Sequence, residues 1–226
     1  PLLPARDFKR AADGDAGPNT GGMGAVAPPA LPRSVMEQII SQILEPAAAA
    51  MAADGCPFVG VLYAGIMLTP TGPHVLEFNC RFGDPETQVI LPLLEAPLAD
   101  ALLDVVHGRK PMLRWAHQSA VCVVLASGGY PGQHRTGLPI RGLDAVPEGV
   151  MVFHAGTGFG GTDIVTASGR VLNIVAQGAS IPQASDRAYA AIGGILFDAM
   201  QYRRDIGRAV VVAPTAPAIA RGGMRL

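Results

Sequence analysis

The sequence predicts an α+β chain, an antiparallel sheet with helices followed by a small β-rich domain that carries one helix. Three observations predict it. Apolar residues recur at helical spacing from Ser34 to Ala53 and again between Pro85 and Gly108. The stretch from Val59 to Asn79 reads as a hairpin, and the residues from Ser119 to Ala176 break into short apolar runs separated by glycine-rich turns. At 226 residues, with 49% hydrophobic and 15% charged, the chain has material for one large core or two modest ones. A formal net charge of −1 provides no basic field for nucleic acid or an anionic membrane, so any phosphate-bearing ligand has to be held by a few placed groups.

The elements follow in order. Residues 1–30 are so punctuated by glycine and proline that neither a helix nor a central strand is expected there. From Ser34, a plausible N-cap, Val35, Met36, Ile39, Ile40, Ile43 and Leu44 share a helical face; Pro46 is expected to kink or divide that helix, and Asp54-Gly55 to end it. Strands over 59–68 and 74–79 meet at the turn Thr69-Pro70-Thr71-Gly72. Helical stretches then start after Pro85 and at Pro97, the second closed by Gly108. Strands are expected over 119–126, 150–154, 163–166 and 170–176, and a helix from Pro182 to about Met200 with Ile195 and Leu196 facing inwards. The break after Gly108 and Pro111 divides the chain into 1–110 and 111–209, and 210–226, rich in Ala, Pro, Gly and Arg, is expected to be an irregular tail.

Cys56, Cys80 and Cys122 form no CxxC pair and read as free thiols. With no apolar run of membrane-spanning length and no secretory segment, a soluble cytoplasmic protein is expected. The chain opens on Pro1 without an initiator Met, so a processed or incomplete sequence is expected.

Three segments carry candidate chemistry. On a strand, Glu77 and Asn79 project from the same face while Phe78 turns into the core. A carboxylate beside an amide oxygen suits a hard cation such as Mg²⁺, which keeps several waters; an exposed polar strand face is the alternative. Arg81, on this face if the strand persists, could grip a phosphate or carboxylate. In Phe82-Gly83-Asp84-Pro85-Glu86, Asp84 and Pro85 make a good N-cap and first helical residue, with ligand contact as a secondary role. The loop 13–24 holds enough glycine for its amides to approach a ligand or form an anion nest, with Lys9 and Arg10 just before it, although a plain surface turn would look the same. It is not a Walker A loop, and there is no HExxH or GxSxG.

Read in order, Asp7-Phe8-Lys9-Arg10, then Asp15-Ala16-Gly17-Pro18-Asn19-Thr20-Gly21-Gly22-Met23-Gly24, and then Glu77-Phe78-Asn79-Cys80-Arg81-Phe82-Gly83-Asp84-Pro85-Glu86 resemble the glycinamide ribonucleotide synthetase family. Gly128-Gly129-Tyr130-Pro131-Gly132, Gly169-Arg170-Val171-Leu172 and Tyr202-Arg203-Arg204-Asp205-Ile206-Gly207 are similar to segments of its second half, so the resemblance runs from about Ala5 to Ala209. It implies that residues 1–110 are the C-terminal part of an ATP-grasp domain, in a ligase that joins glycine to 5-phosphoribosylamine through glycyl phosphate with ATP as co-substrate. By position, Glu77 and Asn79 would hold Mg²⁺ (or Mn²⁺), and Arg81 and Asp15 would act in catalysis. Lys9, Gly17, Pro18, Asn19, Thr20, Gly21, Gly22 and Asp84 would line the side that takes phosphoribosylamine and glycine. Phe8 and Val26 depart from the family pattern, and Gly65 stands where related ligases carry an acidic residue. The family's N-terminal half, with its ATP lid, has no counterpart in the sequence, so this chain alone is expected neither to bind ATP tightly nor to turn over. Other ATP-grasp carboxylases share Glu-x-Asn but lack the glycine loop. A non-catalytic remnant that binds a phosphoribosyl-amine or docks a partner is the reading from a different class.

Overall fold

The computed structural model describes residues 1–208. Four short strands come first: β1 (Arg6–Asp7), β2 (Arg10–Ala12), β3 (Ala16–Asn19) and β4 (Gly24–Ala27). Helices α1 (Arg33–Ile39) and α2 (Glu45–Ala53) precede the hairpin strands β5 (Tyr63–Thr69) and β6 (Gly72–Asn79). Then come α3 (Thr87–Ile90), α4 (Leu98–Val106), β7 (Ser119–Ala126), β8 (Val150–His154), β9 (Thr157–Gly160), β10 (Asp163–Thr166), β11 (Arg170–Gly178) and α5 (Ile181–Ile192). The class is α+β, with antiparallel pairing throughout.

The centre is a five-stranded sheet in the order β1-β4-β7-β11-β8. Alternation along β7 explains its uniform apolarity. Val121, Val123 and Leu125 face one side, where they join Leu172 and Ile174 and meet Ala184, Ala188, Ala191 and Ile192 of α5. Ala120, Cys122 and Val124 face the other, with Ala25, Ala27 and Val175, under Val89 and Leu93. Three of the four alanines of α5, Ala184, Ala188 and Ala191, let that helix lie close to the sheet. Ser180 caps it by accepting the Gln183 amide, with Pro182 in its first turn.

Strand β4 corrects the expectation that nothing in 1–30 enters a central strand. A Cβ at Gly24 would lie 2.5 Å from the Cys122 carbonyl oxygen, so glycine is what allows β4 to seat between β1 and β7. The sheet therefore takes strands from both sides of residue 110.

Other differences have local causes. Pro46 divides α1 from α2 through a wide turn over Ile40–Leu44, where the Glu45 amide reaches the Ile40 carbonyl and the backbone stays right-handed. Hairpin strand β5 starts at Tyr63 rather than Val59, which is exposed. Helix α5 stops at Ile192 because Gly193-Gly194 follows; Leu196, expected inside, is 65% exposed, while Ile195 is buried after the helix has ended. Strand β9, read as a turn, pairs with β10. The expected irregular tail over 210–226 lies outside the described residues. Among the described residues, no helix is long and apolar enough to cross a membrane.

Candidate active site

Strand β6 carries the first part of the site. In the ladder with β5, Asn79 faces Tyr63 and Glu77 faces Gly65, and the register slips just beyond, between Gly65 and Ile66. Two positions apart in this regular stretch, Glu77 and Asn79 share a face as expected, Glu77 exposed and Asn79 half-buried. Opposite Glu77 there is only glycine, whose Cβ would sit 3.2 Å from the glutamate Cγ. The donor set is one carboxylate and one amide oxygen, both reachable from solvent. That fits a hard cation whose remaining positions are filled by water or phosphate oxygens. Among the described residues, no group of three His, Cys, Asp or Glu side chains is placed to hold a metal by protein acids alone.

Two expectations around this pair change. Phe78 does not enter a core; it is 42% exposed, because the hairpin is its own two-stranded sheet. Strand β6 ends at Asn79, so Arg81 lies beyond the strand face, exposed, with Nη1 donating to the Phe82 carbonyl at 2.9 Å.

The turn 82–86 joins the hairpin to the glycine loop. Tyr63, on the strand facing Asn79, donates its phenol proton to Glu86 Oε1 at 2.8 Å, and Glu86 is 5% exposed. Burial and that carboxylate push the phenol's pKa up. Gly22 abuts Pro85: with φ at +119°, a Cβ there would meet Pro85 Cδ at 2.5 Å and Asp7 Oδ1 at 2.8 Å. Asp84 does not cap a helix. Its carboxylate accepts from Gln88 at 2.9 Å and from Arg170, and Glu86 occupies the N-cap position of α3.

The glycine loop is held from several directions. Its base is the β2–β3 pair, with Arg10 opposite Asn19, Pro18 within β3, and Arg10 Nη1 donating to the Gly17 carbonyl at 2.7 Å. The amides of Thr20 and Met23 reach the carbonyls of Lys9 and Phe8 at 2.8 Å, and the Gly22 amide reaches Thr20 Oγ1 at 2.9 Å. The Gly21 amide reaches the Tyr130 hydroxyl at 2.9 Å. With four successive amides taken by protein acceptors, residues 20–23 do not form an open anion nest, one of the two readings the sequence allowed; the loop is preformed instead.

Asp15 is tied to the second half of the chain as well. Its carboxylate accepts from Arg203 Nη1 at 2.7 Å and lies 3.7 Å from Arg6, with the side chain 54% exposed. Arg203 is 1% exposed and also donates to both Asp205 oxygens and to the Arg10 carbonyl, with its guanidinium 5.0 Å from the centre of the Phe8 ring. Burial works against this charge, but the two carboxylates outweigh it and keep the arginine protonated; in return Arg203 holds the Asp205 carboxyl below its ordinary pKa. The Asp205 carboxylate accepts the Gly14 amide, and Asp13 accepts the Arg204 amide, which completes the clamp.

Lys9 lies against Asp7, whose side chain is 8% exposed. Beyond the Lys9 ammonium, neither Asp7 oxygen has a side-chain partner among the described residues. Burial raises its pKa to about 6, Lys9 opposes the shift and Glu86 adds to it. Sequence reasoning missed Tyr63, Tyr130, Arg170 and Arg203 as parts of this region. The signal available for the last three was polar residues set inside the family-like segments of the second half.

Comparison with known proteins decides the family. Residues 1–87 match the model described as phosphoribosylglycinamide synthetase, ATP-grasp (A) domain, and residues 120–209 match phosphoribosylglycinamide synthetase, C domain. The chain belongs to the phosphoribosylglycinamide synthetase family. The phosphoribosylamine–glycine ligase of Synechocystis sp. is 51% identical over 213 residues, 92% of this chain and 51% of that protein. The crystal structure of the Thermotoga maritima phosphoribosylamine–glycine ligase superposes with a TM-score of 0.82 at 36% identity, covering 90% of this chain and 51% of that one. The biotin carboxylase domain of the Hydrogenobacter thermophilus 2-oxoglutarate carboxylase, solved with magnesium ADP and bicarbonate, gives a TM-score of 0.56 at 15% identity over 80% of this chain and 40% of that one, a likeness of fold alone. This member of the synthetase family thus spans about half the length of the curated relatives it matches.

Proposed function

We propose that this chain supplies the amine-substrate and metal side of a phosphoribosylamine–glycine ligase of purine biosynthesis. The reaction is ATP-dependent amide formation between glycine and 5-phosphoribosylamine through glycyl phosphate. The observation that carries this reading is one of placement. Glu77 and Asn79 share a face of β6, and the turn that leaves this strand packs its Pro85 against Gly22 of the preformed glycine loop.

In this reading Glu77 and Asn79 hold Mg²⁺ or Mn²⁺, which when bound neutralises phosphate charge during transfer. Arg81, exposed beside them, pairs with a phosphate or the glycine carboxylate. Gly17 to Gly22, with Lys9, form the wall against which the amine substrate is oriented, and orientation of this kind lowers the barrier without a protein nucleophile. Asp15 and Asp84, expected to act on substrate directly, serve this wall as anchors through Arg203 and Arg170. The lysines that grip the ATP phosphates belong to a preceding half of the same protein, and the division at 110 marks where the ATP-grasp part gives way to the C-terminal part. The workplace of such an enzyme is the cytoplasm.

The test is a coupled ADP-release assay on the complete gene product. Release that needs both glycine and phosphoribosylamine, and that falls roughly a hundredfold or more in Glu77→Gln, is the expected result. Full activity in that variant would remove Glu77 from the metal site. A folded wild-type product with no release would favour a binding or assembly role.

A further inference from the structure

The backbone of Gly21 is held at both of its polar groups by side chains from the second half of the chain. Its amide donates to the Tyr130 hydroxyl at 2.9 Å, and its carbonyl accepts from Arg170 Nη1 at 3.1 Å. Arg170 opens β11, opposite Ala126, and the ladder slips immediately after it, between Arg170 and Leu172. Its side chain is 21% exposed. The same guanidinium reaches the turn after the metal-type strand: Nη1 donates to the Asp84 carbonyl at 3.2 Å and to Oδ1 at 3.3 Å, while Nη2 donates to Oδ2 at 2.9 Å.

One planar group thus ties residue 21 to residue 84, and the residues next to them, Gly22 and Pro85, are those in close contact. A Cβ on Gly21 would lie 3.1 Å from Arg170 Cζ, so the loop rests flat on the guanidinium. Tyr130 is set from below, since Gly169, the neighbour of Arg170, packs against its ring. The arrangement needs a fork: two nitrogens serve a carboxylate while one of them also serves two carbonyls, which a lysine ammonium on a flexible stem cannot reproduce.

We propose that Arg170, assisted by Tyr130, is a positioning residue that sets the glycine loop against the end of β6, and so governs the amine-substrate side of the site while leaving the ATP side alone. The assignment rests on the ligase reading above. No contact of Arg170 with substrate is required; it acts through Gly21 and Asp84.

The experiment is steady-state kinetics of the complete gene product with Arg170→Met, Arg170→Lys and Tyr130→Phe. Arg170→Met is expected to raise KM for glycine and for phosphoribosylamine about tenfold while KM for ATP stays within about twofold, because only one wall of the site is displaced. Arg170→Lys keeps the charge without the fork, and its KM values stay within about threefold of those of Arg170→Met. Tyr130→Phe removes the acceptor of the Gly21 amide and gives the same split at about threefold, which keeps the test alive if Arg170→Met does not fold. Unchanged KM for both glycine and phosphoribosylamine in folded variants overturns the proposal, and so does a parallel rise in KM for ATP. A wild-type product without glycine-dependent ADP release would overturn the ligase reading, and this one with it, before any variant is made.

Discussion

The two longest β-ribbons of this chain are built on opposite plans. In the central pair β7–β11, nearly every side chain is buried, on both faces of the sheet. In the β5–β6 hairpin, Met67, Leu68, Val75, Leu76 and Phe78 all remain at least 40% exposed, and among the described residues the two strands pair only with each other. A two-stranded ribbon with open faces holds little of a fold's stability, whereas a strand covered on both sides holds much of it. Yet the ribbon with little burial carries Glu77 and Asn79. Stability and candidate chemistry are therefore housed separately. What connects them is a set of polar staples, Tyr63 to Glu86, Arg170 to Asp84 and Gly21, and Arg203 to Asp15.

The comparison is sharpest where burial is complete. Ile174, fully buried in β11, should lose about 3–4 kcal/mol on truncation to Ala, read as a lowered denaturant midpoint at unchanged slope. A loss below 1 kcal/mol would mean that the sheet is not the seat of stability. Arg203→Met should follow at about 3 kcal/mol, since it strands Asp15 and Asp205 without their buried partner. Proteolysis should then open the chain around Asp13–Asp15 first, and uniform opening would argue against a clamp.

A pH series separates a third contribution. The folded-state pKa of Asp7 is about 6, above its ordinary 3.8, so the folded protein binds this proton more tightly than the unfolded chain. The resulting stabilisation is complete below about pH 4 and disappears as pH rises through 6. Wild type should therefore lose stability relative to Asp7→Asn across that window, by an amount on the order of 3 kcal/mol, measured by chemical denaturation at each pH. A flat difference would place the Asp7 carboxyl in a wetter setting. The smallest effect belongs to the hairpin: Val75→Ala, at a side chain 40% exposed, should change stability by less than about 0.5–1 kcal/mol.

What could be read in the sequence follows the same division. The runs 119–126, 150–154 and 163–166 emerged at their expected bounds, the first because burial on both faces writes itself into local composition and the other two from β-branched residues set between glycine-rich turns. Strand β4 was hidden because its fit depends on the absence of a side chain at Gly24, which reads locally as a turn. The shared face of Glu77 and Asn79 was legible from period two. Asp84 misled, since Asp-Pro is a good helix start and nothing nearby announces an arginine 86 residues away. Arg203 meets Asp15 across 188 residues, and only the family-like segments around Tyr130, Arg170 and Arg203 hinted that polar residues there had distant work.

The shared sheet has a practical corollary for anyone dissecting this protein. Because β4 hydrogen-bonds along β7, severing the chain between α4 and β7 would bare the backbone rims of two strands at once. Neither piece would keep a finished interior, and recombining the pieces should restore material that either alone forfeits to aggregation. Swapping the second half between homologues would accordingly graft a new wall onto the substrate loop, and not merely exchange an appendage.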